Sequence, residues 1–99
     1  MASLYITEYS GTARQHTQIA MTPAVAHQKL TIGSETDSAA FNANTRFIRV
    51  HADTVCSILI ENVETAPTAT TSMTRMAADQ TEYFGVIPGG KLSVIANAT

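Results

Sequence analysis

The stretch "TRFIRVHADTVCSILI", residues 45–60, decides the fold class. Successive side chains of a β-strand point to opposite faces of a sheet, so a half-buried strand alternates between apolar and polar residues. Residues 45–52 alternate in this way. One face carries Arg46, Ile48, Val50 and Ala52, and the other carries Phe47, Arg49 and His51. The pattern predicts a strand with the first face in the core and the second face toward solvent or a partner.

The second half of this stretch has a different pattern. Asp53 and Thr54 interrupt the apolar run, and the Asp53 side chain suits the start of a turn. After the turn, Cys56, Ile58 and Ile60 alternate with Val55, Ser57 and Leu59. Both faces are largely apolar, which is typical of a central strand that is covered on both sides.

The rest of the chain contains further short apolar segments between turn signals. "SLYITEY" (3–9) has high β propensity, and a short strand is predicted at Gln28–Ile32. Residues 73–80 are ambiguous, because their composition also allows one helical turn. Threonine is abundant and fits a pleated surface better than a helix. The spacing predicts an all-β fold, either an antiparallel β-sandwich or a jelly-roll-like barrel, with about 7–8 short strands and little or no helix.

The run "EYFGVIPGGKLSVIA", residues 82–96, places two β-rich segments on either side of a tight turn. Pro88 presets φ for the first corner of a type II turn, and Gly89 supplies the positive φ that the second corner requires. We therefore expect a closing β-hairpin. Glycine within a strand often marks a close approach by another group, so we expect such a neighbour at Gly85, from this chain or from a second one.

Composition limits the classes of function. The 99 residues fit a single β domain, 1–99, in which 10–25 has poor periodicity and could be an extended arm or a loop. Charged residues make up only 14% of the chain, with a net charge of −2. The four Arg and two Lys are scattered, so we expect no nucleic-acid partner. No apolar run is long enough to span a membrane, and we expect neither a membrane partner nor a secretion signal.

The search for reactive groups finds no linked catalytic motif. The single cysteine, Cys56, lies in an apolar run and is interpreted as a small buried hydrophobic residue. His16, His27 and His51 lack the spacing of metal ligands, although a fold could still bring them together. "PGGK" lacks the glycine spacing and following helix of a phosphate-binding loop. We therefore expect no enzyme activity, no cofactor and no metal.

Three segments carry a resemblance to a known family. "MASLYITEY" (1–9), "SAAFNANTRFIRVHADTVCSILI" (38–60) and "APTATTSMTRMAADQTEYFGVIPGGKLSVIA" (66–96) resemble small proteins of tailed phages and prophages. The recurring pattern is an "AF", then "TRFIRV.AD", "PTAT", an aromatic "FGV" run and a "GGKLSVI"-like end. These proteins resemble virion structural proteins, and the pattern consists of strands and turns without a catalytic signature.

The resemblance implies a capsid decoration (cement) protein, which binds and stabilises the lattice of the major capsid protein. It implies a location on the capsid surface of the virion after synthesis in the bacterial host cytoplasm. Shell symmetry favours a homo-oligomer, a trimer or a dimer. Six residues are candidates for partner binding: Tyr5, Thr7, Tyr9, Phe47, Arg49 and His51.

Three alternatives remain open at this stage. One is a small tail, adaptor or fibre-associated structural protein. Another is a carbohydrate- or ligand-binding β-sandwich module, which predicts that Tyr5, Tyr9 and Tyr83 are exposed on one concave face. The third is a small jelly-roll enzyme that is built on the three histidines.

Overall fold

A computed structural model describes residues 2–11, 20, 22–61 and 67–97. The described residues form eight strands and no helix. The strands are β1 (Ser3–Tyr9), β2 (Ala26–Thr31), β3 (Thr36–Asp37), β4 (Phe47–Ala52), β5 (Cys56–Glu61), β6 (Thr74–Met76), β7 (Thr81–Gly85) and β8 (Lys91–Ala96). None of the described segments is a helix that could cross a membrane.

The strands form two four-stranded antiparallel sheets that pack face to face. Sheet 1 has the order β2-β1-β4-β7, and sheet 2 has the order β3-β8-β5-β6. The predicted antiparallel β-sandwich is confirmed, whereas the jelly-roll alternative stays a prediction. Most connections cross from one sheet to the other, and among the described strands only β1 with β2 and β5 with β6 are pairs of consecutive strands that lie side by side.

The stretch 45–60 contains an inner strand of each sheet and the connection between them. β4 lies inside sheet 1 and β5 lies inside sheet 2, and the chain crosses between the sheets at Asp53 and Thr54. The Asp53 backbone N–H donates to Ser3 O at 3.1 Å, and Asp53 Oδ2 accepts a hydrogen bond from the Ser3 N–H at 3.2 Å. The predicted turn role of Asp53 therefore includes a fixed contact with the start of β1.

The core lies between the two sheets and follows the predicted alternation. In β4 the side chains of Ile48, Val50 and Ala52 are fully buried, whereas Arg46 precedes the strand and is exposed. Further fully or almost fully buried apolar side chains come from four other strands, and they are Leu4, Ile6, Cys56, Ile58, Met76, Leu92 and Val94. Removing this apolar area from water is the main favourable term in the stability of the sandwich.

A buried carboxylate closes one end of the core. Glu8 on β1 is only 1% exposed. Its Oε1 accepts hydrogen bonds from the Asn42 N–H at 2.8 Å and from Thr45 Oγ1 at 2.7 Å. Its Oε2 accepts a hydrogen bond from Gln28 Nε2 at 2.8 Å, and Gln28 Oε1 in turn accepts one from the Ala39 N–H at 2.9 Å. These bonds join two strands of sheet 1 to the loop before β4.

The predicted hairpin at 82–96 is wrong, although its turn is confirmed. Gly89 has a φ of 84°, and the Gly90 N–H donates to Ile87 O at 3.2 Å, as expected for the predicted turn. However, β7 pairs with β4 in sheet 1, and β8 pairs with β3 and β5 in sheet 2. The turn therefore carries the chain across the sandwich. A turn signal between two strands cannot distinguish pairing from crossing, because both need the same reversal of direction.

One smaller prediction also fails, and the ambiguity at residues 73–80 is resolved. A Cβ added at Gly85 would meet no other atom within 4 Å, because this residue lies at the exposed end of an edge strand. A neighbour from a second chain stays a prediction. Residues 73–80 do not form a helical turn, because Thr74–Met76 pairs with β5 and places Met76 in the core.

The described residues cover only part of the predicted single domain, 1–99. The described strands belong to one sandwich. Most of the predicted arm or loop at 10–25 lies outside the described residues, as does His16.

Candidate partner-binding face

The pairing of β1 with β4 brings all six candidate residues together. The register places Tyr5 opposite His51, Thr7 opposite Arg49 and Tyr9 opposite Phe47. The residues between them on both strands point into the core, so these three pairs point away from it. The six residues are therefore neighbours on the outer face of sheet 1. Their proximity is established, whereas their role in binding stays a prediction.

The two edge strands extend this face on both sides. β7 places Thr81, Tyr83 and Gly85 opposite His51, Arg49 and Phe47, and β2 places Lys29 and His27 opposite Tyr5 and Thr7. We call this set of eleven residues the outer face of sheet 1. It contains all three tyrosines of the chain and two of the three histidines. None of its members is an Asp or a Glu.

An aromatic row crosses one end of the outer face of sheet 1. The rings of Tyr9 and Phe47 stack with their centroids 5.1 Å apart, and the rings of Phe47 and Tyr83 lie 6.2 Å apart in a tilted arrangement. Both distances fall in the favourable range for aromatic pairs. Tyr83 is 58% exposed, so its ring combines a fixed neighbour with a large accessible surface. A row of this kind offers flat apolar area that needs little further ordering upon binding.

Positive charge lies next to the aromatic rings. Lys29 Nζ lies 5.5 Å from the centre of the Tyr5 ring, within range of a cation–π contact. Arg49 occupies the middle of the outer face of sheet 1, between Thr7 and Tyr83. The face is thus aromatic and basic, although the whole chain has a net charge of −2. It suits a partner surface that offers carboxylates together with apolar area.

The outer face of sheet 2 is covered by the chain itself. Ser57 and Ser93 point away from the core but are 0% exposed. The Ala69 N–H donates to Ser93 Oγ at 2.9 Å, and Asn97 Nδ2 donates to Ser57 Oγ at 2.9 Å and to Thr71 O at 3.1 Å. The segment before β6 therefore lies across this sheet, which explains the predicted covering of β5 on both sides. In the described residues, the outer face of sheet 1 has no comparable cover.

Some members of the face were not predicted from the sequence. Tyr83 was expected only for a ligand-binding module, and Lys29, His27 and Thr81 were not selected. These residues come from edge strands whose pairing joins distant parts of the chain. The alternation within each segment could have identified an outward side, but only the register of β2, β1, β4 and β7 brings those sides together.

Cys56 is buried in the core, as was predicted. Its side chain is 0% exposed in the core. Burial raises the pKa of the Cys56 thiol above its ordinary value, because a thiolate is poorly solvated in an apolar environment.

The described histidines do not converge on one metal site. His27 lies on β2 and His51 on β4, with β1 between them. Within the described residues, the group with metal-ligand geometry is instead His51, Asp53 and Asp79. His51 Nε2 lies 3.9 Å from Asp53 Oδ1 and 4.0 Å from Asp79 Oδ1, at the end of the face opposite to the aromatic row.

Comparisons with known proteins found no family model, no curated protein and no solved structure that matches this chain.

Proposed function

We propose that this chain is a phage virion structural protein, and specifically a capsid decoration protein that binds the major capsid protein lattice through the outer face of sheet 1. The observation that carries the proposal is the contrast between the two sheets. One outer face is covered by the chain's own segment, and its buried Ser57 and Ser93 are hydrogen-bonded. The other is uncovered within the described residues and concentrates aromatic rings and positive charge. The phage assignment itself rests on the resemblance of the sequence.

The chemistry of this face supports a protein partner. Tyrosine, phenylalanine and arginine are enriched in the cores of protein interfaces, and tyrosine and arginine are frequent binding hot spots. Tyr83 and Tyr5 are 58% and 39% exposed and can each bury further area against a second surface. Arg49 lies among these rings and can pair with a carboxylate of the partner. The absence of Asp and Glu from the face avoids repulsion of such a carboxylate.

The proposed mechanism is stabilisation by mass action. A protein that binds the assembled lattice more tightly than the dissociated one shifts the equilibrium toward the assembled shell. A symmetric trimer or dimer would bind at several points at once, and this raises the overall affinity without any new type of contact. A rigid sandwich favours this role, because little conformational freedom is lost on attachment.

Co-sedimentation of the purified chain with capsids that lack it tests this proposal. Tyr83→Ala removes an exposed ring, and we expect it to weaken binding about 30-fold, as for an interface hot spot. Ile87→Ala is the matched control, because Ile87 is a large apolar residue that is 49% exposed but lies in the β7–β8 turn. This control should bind normally. Equal binding by both variants and the parent chain would contradict attachment through this face.

A carbohydrate- or ligand-binding module is the second candidate, because one observation favours it. Tyr5, Tyr9 and Tyr83 all belong to the outer face of sheet 1, and two of them, Tyr5 and Tyr83, are exposed there, in part agreement with this alternative. Aromatic faces with a few polar groups are typical of ligand sites. A titration with bacterial surface glycans, followed by NMR, separates the two candidates. Saturable shifts confined to these tyrosines, without capsid binding, would favour the ligand-binding module.

A further inference from the structure

His51, Asp53 and Asp79 place three ligand-type atoms around one point, although they come from three parts of the chain. His51 lies near the end of β4, Asp53 at the corner before β5, and Asp79 in the turn before β7. One ligand atom from each lies within 4.8 Å of the other two. Because two of the three separations are 3.9 and 4.0 Å, an ion equidistant from the three atoms would lie about 2.5 Å or less from each, so small side-chain movements give ordinary metal–ligand distances.

Contacts outside the group orient the side chains of His51 and Asp53 and hold the backbone of Asp79 in place. His51 Nδ1 lies 2.8 Å from Thr81 Oγ1. When Nδ1 carries the proton and donates to this hydroxyl, the lone pair of Nε2 points toward the two carboxylates, as in histidines that bind metals. Asp53 Oδ2 accepts a hydrogen bond from the Ser3 N–H, and this leaves Oδ1 for the group. The position of Asp79 is fixed by its backbone N–H, which donates to Ala52 O at 2.7 Å.

The donor set selects the class of metal. One imidazole nitrogen and two carboxylate oxygens suit Zn²⁺, whereas Ca²⁺ and Mg²⁺ prefer sites made of oxygen alone. The Asp79 side chain is 85% exposed, so the group opens to solvent on one side and leaves room for water ligands. We propose that His51, Asp53 and Asp79 form a Zn²⁺ site that links the end of β4 to the β4–β5 corner and the β6–β7 turn.

A simple ion pair is the competing explanation. A protonated His51 could interact with either carboxylate at these distances, but exposed pairs of this kind contribute little to stability. The two explanations differ in their response to metal. An ion pair is indifferent to Zn²⁺, whereas a metal site stabilises the folded state according to the concentration of Zn²⁺ relative to its dissociation constant.

Titration of the chelator-treated full chain with ZnCl₂ tests the proposal by calorimetry and thermal unfolding. We expect one Zn²⁺ per chain and a rise in Tm of about 5 °C or more at ten times the dissociation constant. Asp79→Asn removes a ligand charge at an exposed position, where asparagine tolerates the positive φ of 61°. Asp79→Asn and His51→Ala should each weaken Zn²⁺ binding at least about 10-fold.

Two control variants separate this site from other zinc-binding groups. His27→Ala removes an exposed histidine of the same face, and Glu61→Gln removes a carboxylate charge on β5. Both should bind Zn²⁺ like the parent chain. The proposal is overturned if Zn²⁺ does not bind, or if Asp79→Asn and His51→Ala bind it as tightly as the controls. Loss of binding in His27→Ala would also overturn it, because the ligands would then include a residue outside the group.

Discussion

Replacement of Glu8 by glutamine tests the hydrogen-bond network that closes the core. The carboxylate is buried and accepts three hydrogen bonds, from Asn42, Thr45 and Gln28. Glutamine has almost the same size but offers one acceptor oxygen and one donor NH₂ group. If its oxygen keeps the bonds from Asn42 and Thr45, its NH₂ group faces the NH₂ group of Gln28. A 180° flip of the Gln28 side-chain amide would not solve this, because its Oε1 would then lose the hydrogen bond from the Ala39 N–H.

The expected cost follows from these three bonds. Hydrogen bonds to a charged acceptor contribute about 1.5–3 kcal/mol each, and neutral ones contribute about 0.5–1.5 kcal/mol. Glu8→Gln loses one such bond and weakens the other two, but the neutral amide is easier to bury than a carboxylate. We expect the free energy of unfolding to fall by about 2–3 kcal/mol. For a domain of this size, Tm should then fall by about 10–20 °C.

Urea unfolding followed by circular dichroism measures this change. Glu82→Gln is the matched control, because Glu82 is exposed and its Oε2 accepts one hydrogen bond, from Gln80 at 2.8 Å. The control should change the free energy of unfolding by no more than about 0.5 kcal/mol. If Glu8→Gln were as mild as the control, the three donors would not depend on a buried carboxylate, and the reasoning would be refuted.

Three further predictions concern the core, the turn and the cysteine. Leu92→Ala empties a fully buried site and should cost about 2–5 kcal/mol, whereas Leu59→Ala at a half-buried site should cost less in the same urea assay. Gly89→Ala forces a side chain to a φ of 84° and should cost about 1–2 kcal/mol, whereas Gly33→Ala meets neither strain nor a close atom and should not destabilise. Burial raises the pKa of the Cys56 thiol above 9.0, so the unfolded chain loses this proton first and the free energy of unfolding should decrease as the pH rises above about 9. Cys56→Ala should remove this part of the pH dependence, and an unchanged profile would contradict it.

Local patterns were sufficient to predict the fold class and part of the candidate face. The alternation of residues 45–52 correctly separated the buried side chains of β4 from the outward ones. The apolar run 55–60 correctly predicted a central strand. The short spacing between turn signals predicted either a sandwich or a jelly-roll-like barrel, because strands of this length bury their apolar side against a second layer of strands.

The partners of each strand could not be predicted from local patterns. The segment 82–96 has every local feature of a hairpin, yet its two strands lie in different sheets. Whether the two strands pair with each other or join different sheets depends on which arrangement buries more apolar surface over the whole chain. This is a property of the entire fold. The same limit applies to Lys29 and Tyr83, which join the outer face of sheet 1 only through pairing between distant segments. The buried Glu8 was not foreseen either, because its three donors come from the separate segments that contain Gln28, Asn42 and Thr45.

The most direct test of the proposed function is the number of copies of this chain in purified virions. Quantitative mass spectrometry relative to the major capsid protein gives this number. A decoration protein should be present on the order of hundreds of copies per particle, because it follows the symmetry of the shell. About six or twelve copies would instead indicate a tail or portal-associated protein. Absence of the chain from virions would contradict a structural role in the particle.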